Sequence, residues 1–258
     1  ASYPNSGLTA WLASSKDHKN ADPVRLRAWA IGLKVSGLTA AQVRSYVNVS
    51  TATSAYVAHP DVTATLPAGY ALVGGGIKVN WSGAGNLATA SAPSGASGWR
   101  VRSKDHIDAS PATATAYAIG FPTSIAGIGT FASTVNATLS GVASHPATTA
   151  TLTSDYALTG CGAYSNYAGQ GNLLWKIKPQ SPGACAVASK DHINADPTSI
   201  YGYAIGLRRI DELFALGSMR TLWSALGSRF RDPRLRQLFA RYATYCGSSP
   251  FAAPSTLM

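Results

Sequence analysis

The sequence predicts a mainly β protein: tandem antiparallel β-sandwich or small-barrel repeats of about 86 residues, followed by a C-terminal pair of α-helices. Three observations carry this. A tetrapeptide, Ser-Lys-Asp-His, occurs at Ser15–His18, Ser103–His106 and Ser189–His192. Each copy is followed by a Pro and then by Trp29-Ala30-Ile31-Gly32, Tyr117-Ala118-Ile119-Gly120 or Tyr203-Ala204-Ile205-Gly206. An internal repeat identifies the structural unit before any local motif does. Between these marks, short runs rich in Val, Thr, Tyr and Ile alternate with Gly, Pro, Asn and Ser clusters, the texture of short strands joined by turns. After Arg209 the apolar spacing changes to that of amphipathic helices.

The two complete copies align without a gap at an offset of 86 residues. His59-Pro60 falls on His145-Pro146, Gly74-Gly75-Gly76 on Gly160-Cys161-Gly162, and Gly85-Asn86-Leu87 on Gly171-Asn172-Leu173. The first copy supplies only a second half, at an offset of 88 residues, with Trp11 on Trp99. A one-residue gap also brings Pro4 onto Pro93. The expected organisation is a truncated repeat over 1–35, repeats over 36–122 and 123–209, and a helical tail over 210–258. Because the chain opens in mid-repeat with no Met, it reads as a fragment open at both ends.

In the second copy the strand candidates are Val47–Val57, Asp61–Leu66, Ala71–Val79, Asn86–Ser91, Trp99–Lys104 and Ala114–Phe121. Three consecutive glycines inside the third of these predict a bulge or a close backbone approach. The strand entering the second Ser-Lys-Asp-His separates into two faces. Trp99, Val101, Ser103 and Asp105 form one face, nearly constant among copies and therefore expected to be buried. Arg100, Arg102, Lys104 and His106 form the other, which varies and is expected to be solvated. Substituting Lys104 and His106 together is accordingly expected to leave folding intact.

Three cysteines are present: Cys161, Cys185 and Cys246. Cys161 stands where the second copy has Gly75, and Cys185 where it has Trp99. Exchange of a Gly–Trp pair for a Cys–Cys pair implies that the two positions touch. A disulfide needs Cα atoms within about 7 Å and points to an oxidising compartment. Two small buried thiols are the alternative.

Only 12% of residues are charged, against about 25% in ordinary globular chains. The net charge of +10 is dispersed, with no dense basic stripe interleaved with aromatics, so the charge does not point to nucleic acid. No apolar run approaches the ~18 residues of a membrane-spanning helix. The composition suits a secreted or cell-surface protein.

Lys, Asp and His in succession invite a catalytic reading, but a base and its orienter must converge, and adjacent strand residues diverge. No repeat carries enough His, Cys or acidic residues for a zinc site. Neither a catalytic nor a metal-ligating residue is assigned. An Asp at a strand end accepts backbone N–H groups and shapes a turn. A binding role is the other reading: Lys16, His18, Lys104, His106, Lys190 and His192, with Trp81 and Tyr167 as stacking residues, would form a multivalent site for a glycan or other cell-surface ligand.

The repeat resembles one found in secreted bacterial proteins of uncharacterised function. The resemblance covers residues 1–209 and rests on Gly69-Tyr70-Ala71-Leu72-Val73-Gly74-Gly75-Gly76, Gly85-Asn86-Leu87, Ser91-Ala92-Pro93, Trp99 and Ala116–Gly120. It implies no catalytic role.

The tail is different. Asp211–Phe230 is patterned as a helix, with Asp211 as cap and Leu213, Leu216, Met219, Leu222, Trp223 and Leu226 as its stripe. Asp232-Pro233 opens a second, with Leu235, Leu238, Phe239, Tyr242 and Cys246 on one face and Gly247 as its stop. The run from Phe230 to Phe251, FRDPRLRQLFARYATYCGSSPF, resembles an internal stretch of bacterial flavin-dependent carotenoid desaturases, the phytoene and hydroxyneurosporene group; the resemblance covers residues 212–258. In that family the stretch lies on the substrate side, and the intact enzymes use FAD. The strand-then-GxGxxG fingerprint of a dinucleotide site is absent from this sequence, so no cofactor is expected here. The alternative function is a truncated or fused desaturase fragment, inactive as it stands.

Overall fold

The computed structural model describes residues 1–210, 221–245 and 251. The chain divides into two compact units, Ala1–Arg208 and Arg209–Met258.

The first unit is antiparallel β. Its front carries β1 (Ser2–Pro4) and β2 (Trp11–Ala13), then a short helix α1 (Ala40–Tyr46). Next come β3 (Asn48–Thr53), β4 (Asp61–Thr65), β5 (Tyr70–Asn80), β6 (Asn86–Ser94), β7 (Gly98–Asp105) and β8 (Thr113–Pro122). The remainder holds β9 (Ser124–Ile125), β10 (Gly129–Leu139), β11 (Ala147–Thr151), β12 (Ala157–Ser165), β13 (Asn172–Ser181), β14 (Ala184–Asp191) and β15 (Ile200–Arg209). The strands expected in the second copy thus form within a few residues of their expected bounds. Helix α1 is not among the expected elements. Its signal is a capping box, in which Thr39 accepts from the Gln42 backbone N–H and the Gln42 side chain accepts from the Thr39 N–H.

Three sheets result, in the orders β2-β1-β5-β8-β3, β4-β7-β6-β12-β15-β10-β9 and β11-β14-β13. Among the described residues none of the three closes into a barrel. The first two sheets cross the boundaries of the sequence repeats. β1 pairs with β5 through Ser2 and Ile77. β6 pairs with β12 through Ser91 and Ala163, and Ala90 and Tyr164. Strands β5, β6, β12 and β13 each contain a register shift; in β5 it falls between Leu72 and Gly74, at the head of the triple glycine.

The main core lies between facing sheets. Trp99, Val101 and Ala64 from one side meet Leu72, Ala114, Ala116 and Ala118 from the other, all almost wholly buried. The small residues of β8 allow this close approach. A Cβ on Gly75 would lie 2.1 Å from the Trp99 ring and 2.4 Å from the Tyr117 carbonyl oxygen. The indole therefore fills space that only a glycine leaves. It also donates to Ser91 Oγ at 3.0 Å. At the matching positions Cys161 and Cys185 form a disulfide, with Cα atoms 5.6 Å apart.

The second unit contains α2 (Leu222–Arg229) and α3 (Pro233–Tyr245). Thr221 caps α2 by accepting from the Ser224 N–H. Asp232 accepts from the Arg234 N–H at 2.8 Å, as its capping role requires. Leu222, Leu226 and Ala240 are buried together, with Trp223, Phe230 and Phe239 against them. The expected cap Asp211, the stripe residues Leu213, Leu216 and Met219, and Cys246 and the stop Gly247 lie outside the described residues. Among the described residues, no helix is long and apolar enough to cross a membrane.

Candidate functional site

The three Ser-Lys-Asp-His stretches converge. The imidazole rings of His18, His106 and His192 form a near-equilateral triangle, with centroids 5.4 Å, 5.2 Å and 5.0 Å apart. Residues separated by whole repeats in sequence thus meet at one point. His18 Nδ1 and His192 Nε2 are 3.1 Å apart and share a hydrogen bond whose direction depends on the tautomers. His106 Nδ1 lies 2.7 Å from the Gln170 carbonyl oxygen, and its Nε2 lies 2.6 Å from that of His192. Carbonyl oxygens only accept, so both contacts are hydrogen bonds only when both ring nitrogens carry protons. His18 Nε2 is buried with no partner among the described residues.

The lysines extend the same junction. Lys104 Nζ donates to the carbonyls of Gly169, at 3.1 Å, and Gln170. It also lies 4.5 Å from the Tyr167 ring centroid, a cation–π distance. Lys16 repeats the arrangement one copy earlier. Its Nζ donates to the Ala84 carbonyl and sits 4.4 Å from the Trp81 ring centroid. Gly171 makes room for Lys104, with φ at +129° and a would-be Cβ 2.8 Å from its Nζ, and Gly85, with φ at +98°, does so for Lys16. Each lysine thus enters the Gly-Asn loop of the following repeat, whose Trp81 or Tyr167 forms one wall. Lys190 is exposed.

The face assignment of this strand is corrected. Lys104 is 3% exposed and His106 is 1% exposed. The alternation holds through Arg102, but beyond it the second face meets the next repeat instead of water. Trp81 remains 47% exposed, with Lys16 beside its ring.

The turn after each full-length stretch is unusual. Asp108 N–H donates to the His106 carbonyl at 2.8 Å around Ile107, which has φ of +68°. Asn194 N–H donates to the His192 carbonyl at 2.7 Å around Ile193, with φ of +63°. An i to i+2 bond around a positive φ is a γ-turn arrangement, costly for a β-branched residue. Asp105 stabilises the turn from its side chain, accepting from the Ser110 N–H at 3.3 Å, while His59 Nε2 lies 3.2 Å away. At Asp191 the carboxylate instead accepts from the Asn172 side chain, at 2.7 Å.

Electrostatics follow from this crowding. Burial lowers the pKa of His18, with the His192, His106 and Lys16 charges acting in the same direction and Asp108 against. Burial also lowers that of His192, aided by His106 and Lys190. Lys16 and Lys104 are both shifted down by burial, with Asp17 opposing in the first, and Asp196 and Asp105 in the second. Buried ammonium and imidazole groups are held here by backbone carbonyls, ring faces and nearby carboxylates. The contacts of Lys16, Lys104 and His106 run between one copy of the repeat and the next.

No protein-family model matches the chain. It is 56% identical over 54 residues to a hydroxyneurosporene desaturase of Rubrivivax gelatinosus, covering 21% of this chain and 10% of that protein. A hydroxyneurosporene desaturase of Cereibacter sphaeroides is 68% identical over 28 residues, covering 11% of this chain and 6% of that protein. One of Rhodobacter capsulatus is 54% identical over 37 residues, 14% of this chain and 8% of that protein. The chain therefore spans a tenth or less of the length of these curated relatives.

Proposed function

We propose that residues 1–209 are a non-enzymatic structural module of a secreted or cell-surface protein, in which each Ser-Lys-Asp-His stretch is the joint between successive repeats. The observation that carries this is the use of Lys104 and His106: their polar atoms are directed at carbonyls of Gly169, Gln170 and His192. Groups occupied this way bind the protein to itself. The Cys161–Cys185 bond supports an oxidising location. The deciding experiment compares the purified chain with a variant carrying Lys104→Met and His106→Gln on a glycan array and in denaturant. A structural joint gives a less stable variant and no glycan signal in either protein. Retained stability sinks the joint.

Glycan binding is the second reading. It is favoured by Trp81 and Trp175, 47% and 59% exposed, which offer ring surface for stacking on sugars. Array signal lost in Trp81→Ala or Trp175→Ala would establish it.

The tail carries a separate proposal, that Arg209–Met258 derives from a carotenoid desaturase joined to the β region by gene fusion. The short matches to three hydroxyneurosporene desaturases support it. A flavin-free absorption spectrum is expected of the purified chain; bound FAD would restore the desaturase reading. Sequencing the parent transcript tests the fusion.

A further inference from the structure

The three repeats are not equivalently completed, and the difference falls in one place. In the second copy the glycine-rich strand β5 lies between β1 and β8. In the third, β12 lies between β6 and β15. Each such strand therefore bridges the Ser-x-Pro strand of the preceding copy and the Ala-Ile-Gly strand of its own. Among the described residues no strand stands at the third position of this kind. β13, the third copy's counterpart of that strand with Ile177-Lys178-Pro179 in place of Ser-x-Pro, ends its sheet and pairs with β14 alone among the described residues. The first-copy segment Trp29–Gly32 has the motif of β8 and β15 but forms no strand.

Burial marks the same gap. Ala114, Ala116 and Ala118 of β8 are wholly buried. Their first-copy counterparts Leu26, Ala28 and Ala30 are exposed, as are Val24, Trp29 and Ile31. Trp11, the counterpart of Trp99, keeps the hydrogen bond to a serine, donating to Ser2 Oγ at 2.8 Å, and is half-buried where Trp99 is wholly buried. A groove of about 370 Å³ lies here; Trp11, Arg27–Leu33 and Ile177–Pro179 all line it, together with Gly74 and Gly75 of β5 and Gly160 and Cys161 of β12. Lys190 is exposed at the corresponding corner, whereas Lys104 is buried in the loop that follows β12 and Lys16 contacts the one that follows β5.

We infer that this groove is the seat of a glycine-rich β-strand of the type of Tyr70–Asn80, which adds to the free edge of β13, orders residues 24–33 as a strand on its other side, and supplies a following turn for Lys190. An unpaired edge with a row of free N–H and C=O groups is the usual template for such strand addition. The occupant has a glycine opposite Trp11, for the reason that Gly75 faces Trp99. It comes from outside these 258 residues. A second copy in the same fold cannot donate it, because β5 and β12 are already paired along both edges. The strand seat is argued from sheet order and burial; only the place of Lys190 rests on the reading of the Ser-Lys-Asp-His stretches as joints.

The test uses the full chain and a synthetic peptide of residues 69–86, labelled for fluorescence anisotropy. Saturable micromolar binding is expected, with hydrogen-exchange protection appearing at 172–181 and 24–33. A peptide carrying Gly75→Val should bind at least ten-fold more weakly. Lys190→Met, an exposed position, leaves the protein folded and should weaken binding several-fold. Absence of binding overturns the proposal, as do equal affinity of the Gly75→Val peptide and protection elsewhere. Self-association of the peptide-free chain that protects the same two segments also overturns it, in favour of a second copy. Strong binding unaffected by Lys190→Met keeps the strand seat and removes the joint at that corner.

Discussion

Trp99 packs against the bare backbone of Gly75, and one repeat later the same two positions are Cys161 and Cys185, joined by a disulfide. One contact between a glycine-rich strand and the opposite sheet is thus built in two chemistries. An indole fills the space by volume; a disulfide fills it by a covalent bond across the same gap.

The two solutions should be interchangeable only as pairs. Gly75→Ala alone forces a Cβ into the ring and should destabilise by about 1–3 kcal/mol. Gly75→Cys combined with Trp99→Cys should form a second disulfide under oxidising conditions. Thiol titration checks this: the free-thiol count of the unfolded double variant should equal that of the wild type. Two additional free thiols would show that the positions are not matched.

Removing the native bond should cost on the order of 3 kcal/mol, since it closes a loop with a sequence separation of 24. Urea titration of Cys161→Ala with Cys185→Ala reads this directly. The β unit should lose stability while α2 and α3 keep their helical circular dichroism signal.

The contacts of Lys104 give a third prediction. Lys104→Met keeps the apolar stem but removes the ammonium's hydrogen bonds to the Gly169 and Gln170 carbonyls, the second of which keeps His106. Hydrogen bonds to a charged group contribute roughly 1.5–3 kcal/mol, so a loss of about that size is expected. Lys190→Met, at an exposed position, should change stability by less than about 0.5 kcal/mol. Equal effects of the two substitutions in chemical denaturation would contradict the burial difference.

The histidine triangle makes stability depend on pH. His18 has a folded pKa below its ordinary value of about 6.5, because burial and neighbouring positive charge disfavour its imidazolium form. The unfolded chain therefore binds the proton more readily. His18's contribution is fully present above about pH 6.5 and is lost as pH falls through the lowered folded value. The stability difference between wild type and His18→Gln isolates this effect. It should become less favourable to wild type from pH 7 to pH 5 at constant ionic strength. His192, lowered by burial and by His106 and Lys190, should behave with the same sign.

Ile107 holds a φ of +68° with its side chain 43% exposed. A β-branched residue in that region carries about 1–3 kcal/mol of backbone strain. Ile107→Gly should therefore be neutral or stabilising by up to about 1 kcal/mol in thermal denaturation. A clear loss of stability would mean that the Ile side chain contributes more than its backbone costs.

Much of this was legible from the residues alone, for identifiable reasons. The strand bounds around Tyr70–Asn80 and Thr113–Pro122 follow from local composition and turn residues. The Gly75–Trp99 contact was visible because two copies of one repeat solve it differently. Helix α1 was signalled by Thr39 and Gln42, but a single capping box within a β-rich texture is a weak local cue. The caps at Asp232 and Pro233 were readable because capping chemistry is local.

The burial of Lys104 and His106 was not legible, because strand alternation describes only the two faces of one sheet. Here the second face is covered by Gly169 and Gln170, about 65 residues further along. The convergence of His18, His106 and His192 also depends on how whole repeats are placed, which no local pattern encodes. The same limit explains Trp29–Gly32, whose motif is that of a strand and whose conformation is not: a strand is a pairing, and this segment pairs with no strand among the described residues. By itself the sequence determined the repeat, the strands within it, the cysteine contact and the capped tail helix, because each is set by neighbours in the chain or by comparison of copies. Only the tertiary structure decided that the three Ser-Lys-Asp-His stretches converge, that Lys104 and His106 are buried, and that β13 pairs with β14 alone among the described residues, because each depends on what lies across a gap from residues distant in sequence.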